Sequence, residues 1–326
     1  MPGPFLPSLL FAVLAVALLG SASGAVGQST RDPGPGVVAR GHVAALSEGI
    51  GARVSGSPGE VRAAGYIENV FRQIGYPTFV QAFNFAGGTR SQRSTLESAN
   101  VIAVKEGSST EEIIVGAHYD SEVRGLGAGD NASGVGVMLE IAASVRDVVT
   151  PYTIRFVAFG AEEQGLSGSS HYVGEMTSKA IGNVAAMINL DSLIAGDIAY
   201  VYGDAGDAGR VRDWILARAR ELGFNLRTQP GGNPEYPAGT TGGFSDHAPF
   251  EDAGIQYAYF ESTNWTLGQR DGYVQVDPQL GENGYIWHTP FDTMDYIESI
   301  FPSRIDDRLR LYATMLYQVL TEFTGP

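Results

Sequence analysis

Side chains able to do chemistry recur in this chain at one kind of place, directly after apolar runs. Ile113-Ile-Val-Gly-Ala-His118-Tyr-Asp120 closes on an imidazole and a carboxylate two residues apart, which an extended backbone points the same way. A carboxylate beside an imidazole fixes its tautomer and raises its basicity, which prepares a histidine to bind a metal. Phe156-Val-Ala-Phe-Gly-Ala-Glu162-Glu163 closes on adjacent carboxylates. Like charges repel there unless one binds a cation, which leaves its neighbour free to act as a general base. Ala186-Met-Ile-Asn-Leu-Asp191 is a third acidic end, Gly127-Ala-Gly-Asp130-Asn-Ala-Ser-Gly134 opens a helix, and Trp287-His288-Thr-Pro-Phe-Asp292 follows a long loop.

Each motif alone has a bland explanation. His-x-Asp arises by chance, Asp130 or Ser133 suits a helix N-cap, and acids at Glu162 and Glu163 suit a helix dipole. Their coincidence at successive strand ends outweighs those explanations. Three carboxylates and two histidines make a set of nitrogen and oxygen ligands, with a spare glutamate beside one of them. Aspartate can bridge two cations, and bridged zinc ions about 3.5–4 Å apart form a hydrolytic centre.

Periodicity predicts the elements that must position these residues. Helices are expected at Val37–Ile50, Pro58–Ile74 (ending at Gly75), Ser133–Val148, Leu166–Met176, Ala208–Leu222 with an arginine-rich outer face, Asp246–Ala253 and Ser303–Phe323. Strands are expected at Thr78–Phe85, Asn100–Val104, Glu112–Ala117, Thr153–Phe159, Asn183–Leu190, Ile198–Tyr202 and Ile255–Phe260. The alternation predicts an α/β three-layer sandwich with a mostly parallel, mixed central sheet. Ligands bind such sheets at the carboxyl ends of the strands. The Gly/Pro-rich stretch Gln229–Gly243 and the Gly/Asn/Asp-rich stretch Thr263–Tyr285 read as long surface loops, and the acids of Asp271–Glu282 as solvated.

Composition narrows the chemistry. The 326 residues include no cysteine and five histidines, which excludes thiolate metal sites, disulfides and cysteine nucleophiles. With 36 acidic and 21 basic residues the net charge is −15, against the basic footprint of a nucleic-acid binder. Residues 1–30 carry no charged side chain, and Leu9–Leu19 is an apolar run followed by small residues. That run is short of the ~20 residues a membrane span needs. It predicts a signal peptide at 1–27, cleaved near 23–27, a linker at 28–36 and a single catalytic domain at 37–326. The protein is then exported, secreted or periplasmic, with no membrane span after cleavage; an uncleaved N-terminal anchor is the runner-up reading.

From about Asn100 to the C-terminus the motifs resemble the co-catalytic two-zinc exopeptidases that include bacterial leucyl aminopeptidases and aminopeptidases S and Y. The resemblance is carried, in order, by Gly116-Ala-His118-Tyr-Asp120-Ser, Gly129-Asp130-Asn-Ala-Ser-Gly134, Glu162-Glu163-Gln-Gly-Leu-Ser-Gly-Ser169, Asn189-Leu-Asp191, Ser245-Asp-His247 and His288-Thr-Pro-Phe-Asp-Thr293. It implies the zinc-exopeptidase (phosphorylase/hydrolase-like) fold and two zinc ions per chain. By the same resemblance Asp130 bridges both ions, His118 and Asp191 complete one site, and Glu163 and His288 complete the other. Glu162 is then the general base for a water shared by the ions, and Asp120 steadies His118. The resemblance also implies a cis peptide at Asp130–Asn131. His247 is expected to line or brace the site, His171 to pack within its helix, and His42 to lie at the surface or close to the linker.

The family pattern often has Tyr before the last histidine ligand; here that residue is Trp287, with Tyr285 two earlier. Trp287, Tyr285, His247 and Phe244 are the candidates for substrate or oxyanion contacts, with Tyr259 a further candidate for the pocket wall. The function implied is removal of N-terminal residues from peptides with a free N-terminus. Runner-up readings are a one-zinc glutaminyl-peptide cyclotransferase of the same fold, a carboxypeptidase for which Arg124 is the one visible cation, and, last, a non-catalytic binding protein.

Overall fold

The computed structural model describes residues 34–89 and 92–325; the expected signal peptide at 1–27 lies outside them. Helices α1 (Val37–Ala44) and α2 (Pro58–Ile74) precede a hairpin of β1 (Thr78–Thr89) and β2 (Gln92–Lys105). Then follow β3 (Glu112–His118), α3 (Ser133–Ser144), β4 (Thr153–Phe159), α4 (Ser167–Gly174), α5 (Ser178–Ile181), β5 (Val184–Leu190) and β6 (Ile198–Gly203). The chain ends with α6 (Arg210–Glu221), α7 (Ala248–Asp252), β7 (Tyr257–Thr263), α8 (Met294–Ile300) and α9 (Arg304–Glu322). Helix α2 shows why such boundaries fall where they do. Ser57 accepts from the Gly59 and Glu60 N–H groups, Pro58 takes the first turn, and Gly75 closes the helix at φ 100°, a conformation glycine adopts without steric cost.

The strands form one sheet in the order β1-β2-β4-β3-β5-β7-β6. Pairings β3–β4, β3–β5 and β5–β7 are parallel, while β1–β2, β2–β4 and β6–β7 are antiparallel. The parallel character is therefore confined to the four central strands, β4, β3, β5 and β7. The alternating side chains of β3 serve both faces. Ile113, Val115 and Ala117 pack with Met138 and Leu139 of α3 and Leu309 and Leu316 of α9, while Ile114 packs with Tyr172 of α4 and Phe250 of α7. Each such apolar side chain contributes about 1.5–3 kcal/mol on leaving water, and together they fix the register that brings the four strand ends level.

Several elements depart from expectation. Helix α6 is not arginine-rich on its outside only: Arg212 is buried and donates from Nη1 to the carbonyls of Asp204 (2.8 Å) and Gly239 (3.1 Å). Helix α8, which was not expected, follows the His288 loop and is capped by Thr293, whose side chain accepts from the Tyr296 N–H. The hairpin β1–β2 is also longer than its alternating core of Thr78–Phe85 indicates. Among the described residues no helix is long and apolar enough to cross a membrane.

Candidate metal centre

The carboxyl ends of the central strands lie side by side and carry the polar residues. His118 is the last residue of β3, Asp191 follows β5, and Glu162 and Glu163 come just after β4. Asp130 lies in the turn that opens α3, and His288 in the loop between β7 and α8. Ala161, Ser192 and His288 adopt φ of 52°, 53° and 57°, left-handed conformations that are uncommon outside glycine and concentrate where the surroundings over-determine the backbone. The Asp130–Asn131 peptide is cis.

These side chains converge. Nε2 of His118 lies 3.1 Å from Oδ1 of Asp130 and 3.4 Å from Oδ1 of Asp191. Nε2 of His288 lies 3.1 Å from Oδ2 of Asp130 and 3.1 Å from Oε2 of Glu163. Asp130 thus offers one oxygen to each group. Four ligands about 2.0–2.2 Å from a tetrahedral zinc stand roughly 3.3 Å from one another, so the observed spacings are those of donors around a common ion. Asp191 Oδ1 is buried without a hydrogen-bond partner, as a ligand atom awaiting a cation would be. Glu162 lies close to His118 and Asp191. Among the described residues, donor atoms close enough to share an ion occur in two sets of three, His118 with Glu162 and Asp191, and Asp130 with Glu163 and His288; neither draws on the Asp271–Glu282 loop.

Charge explains the need for cations. Burial disfavours a protonated His118, but the carboxylates of Glu162 and Asp191, with contacts from Asp120 and Asp130, raise it well above its ordinary value. His288 is likewise pushed up to about 11, the contacts with Asp130 and Glu163 outweighing burial. The two imidazoles hold Asp130 below the usual carboxylate range despite its burial. Burial raises Glu163 to about 7 and Glu162 well above its ordinary value, and Asp130 and Asp246 respectively add to the effect. Carboxylates outnumber imidazoles throughout, which favours bound cations.

A ring of supporting contacts sets each group. Asp120 is fully buried; its Oδ1 lies 3.4 Å from His118 Nδ1 and accepts the Glu162 N–H at 3.0 Å. Its Oδ2 accepts from Ser55 Oγ at 2.6 Å and from the Glu163 N–H at 3.2 Å. Asp292 accepts the N–H groups of Gly129 (2.6 Å) and Asp130 (3.0 Å). Ser245 donates to Asp191 Oδ2 at 2.7 Å, and Asn189 donates to Ser245. Gln275 accepts from the backbone of Ile286 and Trp287 through Oε1, which places the turn bearing His288. Arg53, wholly buried, donates to the carbonyls of Tyr119, Leu126 and Gly127 and so ties the His118 and Asp130 loops together.

The cavity above these groups has a volume of about 290 Å³. His118, Asp130, Glu162, Glu163, Asp191 and His288 all line it, as do Trp287, Phe244 and Tyr259. Tyr285 does not: it faces an adjoining hollow with Arg124 and Glu282, because the chain turns between it and Trp287. His247 does not line the cavity either. It is fully buried, with its ring 4.7 Å from those of both Tyr257 and Tyr259, and so braces the cavity wall from behind. His171 stacks on Phe83 at 5.1 Å. His42, half-buried in α1, has its Nδ1 2.7 Å from Tyr66 Oη.

Sequence reasoning missed Asp246 and Glu261. Asp246 is fully buried and pushed up to about 7 by burial. Glu261 in β7 lines the cavity. The signal for Glu261 was present: it is the acidic residue at the end of Tyr257-Ala-Tyr-Phe-Glu261, the same pattern that marks the neighbouring strand ends.

An α/β sandwich with paired histidine–carboxylate groups at its carboxyl edge is the framework of a metallopeptidase. The chain belongs to peptidase family M28, whose family model matches residues 100–313. It is 36% identical over 294 residues to the alkaline phosphatase isozyme conversion protein of Escherichia coli, covering 82% of this chain and 84% of that protein. It is 35% identical over 236 residues to the aminopeptidase YwaD of Bacillus subtilis, covering 70% of this chain and 46% of YwaD, so it spans about half of that relative. The fold matches that of BSAP, a zinc aminopeptidase from Bacillus subtilis, with a TM-score of 0.71 at 22% identity over 90% of this chain and 97% of that one.

Proposed function

We propose that this chain is a zinc aminopeptidase that removes N-terminal residues from peptides. The observation that carries the reading is the sharing of Asp130 between two donor groups, with Glu162 beside one of them. We assign His118, Asp130 and Asp191 to one zinc ion and Asp130, Glu163 and His288 to the other. Zinc bound there would supply Lewis acidity, bringing a water's pKa toward neutrality and polarising the scissile carbonyl. Glu162 takes the proton of the attacking water and returns it to the leaving amine. Asp120 holds Glu162 in place through its backbone and orients the His118 ring. Trp287 and Phe244 serve as cavity walls, and Trp287 has only an indole N–H to offer an oxyanion.

The acidic surroundings suit a free α-ammonium. A carboxypeptidase would need a cation for the substrate's terminal carboxylate; Arg124 is paired with Glu282 at 2.7 Å and does not line the cavity. A one-zinc glutaminyl cyclase needs only one of the two donor groups, so the number of bound zinc ions separates the two readings. Residues 1–27 are read as an export signal on their uncharged apolar composition, and residues 37–326 as the catalytic domain; the mass of the mature protein from the producing cell tests the cleavage. Metal analysis together with a peptide bearing N-terminal Gln tests the activity. Two zinc ions per chain and released free glutamine are expected, whereas one zinc and a cyclised N-terminus would establish the cyclase reading instead.

A further inference from the structure

Ala161, Glu162 and Glu163 form a turn whose three consecutive backbone N–H groups are all taken by buried carboxylates from elsewhere in the chain. Ala161 donates to Oε1 of Glu60 at 3.0 Å, while Glu162 and Glu163 donate to Asp120 at 3.0 and 3.2 Å. Gly160, one residue earlier, donates to Oδ1 of Asn100 at 3.2 Å, and Asn100 Nδ2 donates to the Gly168 carbonyl at 2.9 Å. Asp120 reaches the turn from the end of β3, Asn100 from β2 and Glu60 from the first turn of α2. Ala161 itself has φ 52°. A residue other than glycine stays in that left-handed region where its surroundings over-determine it. Its methyl group packs with Phe83 and Phe85 of β1.

The needs of its own helix do not account for Glu60. Ser57 already caps α2, accepting from the Gly59 and Glu60 N–H groups. A glutamate three residues after such a cap ordinarily reaches back to the cap's own N–H. Here that N–H, of Ser57, donates to the Val54 carbonyl at 2.9 Å. Oε2 of Glu60 accepts from the Gly56 N–H at 2.5 Å instead. Oε1 is left for Ser98 Oγ at 2.6 Å and for Ala161, 101 residues away. Glu60 is 1% exposed, and burial raises it to about 7, with the Ser98 contact opposing that rise and the Asp120 carboxylate adding to it. Burying a carboxylate is costly unless hydrogen bonds to its charged form offset the loss of water. One of those bonds serves no part of α2, only the residue before the proposed base.

We propose that Glu60 is a positioning residue for the reaction: it holds the Ala161 amide so that the turn aims the Glu162 carboxylate into the cavity. The inference rests on the reading of Glu162 as general base and adds how that base is aimed. The direction of the Glu162 side chain follows from the backbone that carries it. Asp120 binds that backbone at residues 162 and 163, beside the donor groups. Glu60 fixes the residue before them, where the chain leaves β4. Releasing that point lets the turn rotate about its remaining contacts, and a displacement of about 1 Å at a reacting group lowers a rate by up to about 10²-fold.

The test is a double-mutant cycle on the zinc-loaded full chain. Zinc content, kcat and KM are measured on whichever of a panel of aminoacyl p-nitroanilides the unaltered enzyme cleaves fastest. Glu60→Ala should lower kcat by about 10–10²-fold, with zinc content kept and KM changed by less than about threefold. Glu60→Gln, which keeps the shape and one acceptor oxygen, should recover part of that loss. In a Glu162→Gln background Glu60→Ala should lower the residual kcat by less than about threefold, because a residue that acts through Glu162 has nothing left to aim. Equal losses in both backgrounds overturn the proposal and leave Glu60 a support of the fold. So does a loss that falls on KM or zinc content instead of kcat. Ser98→Ala, which removes a half-buried donor to the same oxygen, carries the cycle if neither Glu60 variant folds. A fall in kcat that needs Glu162 is expected there, and no change, or the same change in both backgrounds, overturns the proposal. Full activity of Glu60→Ala beside a disabled Glu162→Gln overturns this inference alone. Near-full activity of Glu162→Gln, or no cleavage by the unaltered chain, overturns the reading of the base or of the activity, and this inference falls with it.

Discussion

The carboxylate of Asp120 accepts the backbone N–H of Glu162 at 3.0 Å. The same carboxylate accepts the Glu163 N–H and lies against the His118 ring. One buried acid thus fixes the proposed base relative to a proposed ligand from each donor group. Glu162 lines the cavity, and in the proposed assignment Asp130 rather than Glu162 completes the His118–Asp191 group. Glu162→Gln should therefore retain zinc, as measured by metal analysis, while kcat falls by about 10²–10⁴-fold. Near-full activity in that variant would remove Glu162 from the chemistry.

Asp120 itself should act on metal affinity. Asp120→Asn keeps the shape but withdraws a charge from His118 and an acceptor from the Glu162–Glu163 turn. Zinc affinity should fall by about 10–100-fold in competition with a chromophoric chelator, with the circular dichroism spectrum unchanged.

Metal removal should cost stability as well as activity. Without cations the clustered carboxylates repel one another, and burial already raises Glu162 and Glu163. Zinc at 100 times its dissociation constant stabilises the folded state by about 2.7 kcal/mol per site. Chelation should lower the thermal midpoint by several degrees, and added zinc should restore both the midpoint and turnover.

Arg53 should be a stability residue. Its guanidinium is wholly buried and satisfies the carbonyls of Tyr119, Leu126 and Gly127. Arg53→Ala leaves those acceptors unpaired beside a cavity, at a cost of about 3–5 kcal/mol, read from the urea midpoint.

Much of this arrangement was legible in the sequence because strand ends are written locally. An apolar run followed by His118, Glu162 or Asp191 shows both where a strand stops and what it presents. The central strands and the long helices α2, α3 and α9 follow from the same periodicity. Supporting contacts were less visible, because their partners are distant in sequence: Ser55 reaches Asp120 across 65 residues and Asp292 reaches Gly129 across 163. Glu261 was overlooked although its strand repeats the pattern, since its placement depends on Tyr202 and Tyr259 converging upon it. Tyr285 and Trp287 are two apart, yet only Trp287 reaches the cavity, because the chain is not extended there. Antiparallel flanks were hidden for a similar reason: the alternation of strands and helices records chain order, whereas strand direction depends on where each connection crosses.

Incubating the zinc-loaded protein with a peptide and its N-acetylated twin, and following both by mass spectrometry, tests the aminopeptidase reading most directly. The account predicts stepwise loss of single residues from the free peptide and none from the acetylated one. Equal cleavage of the two would contradict it.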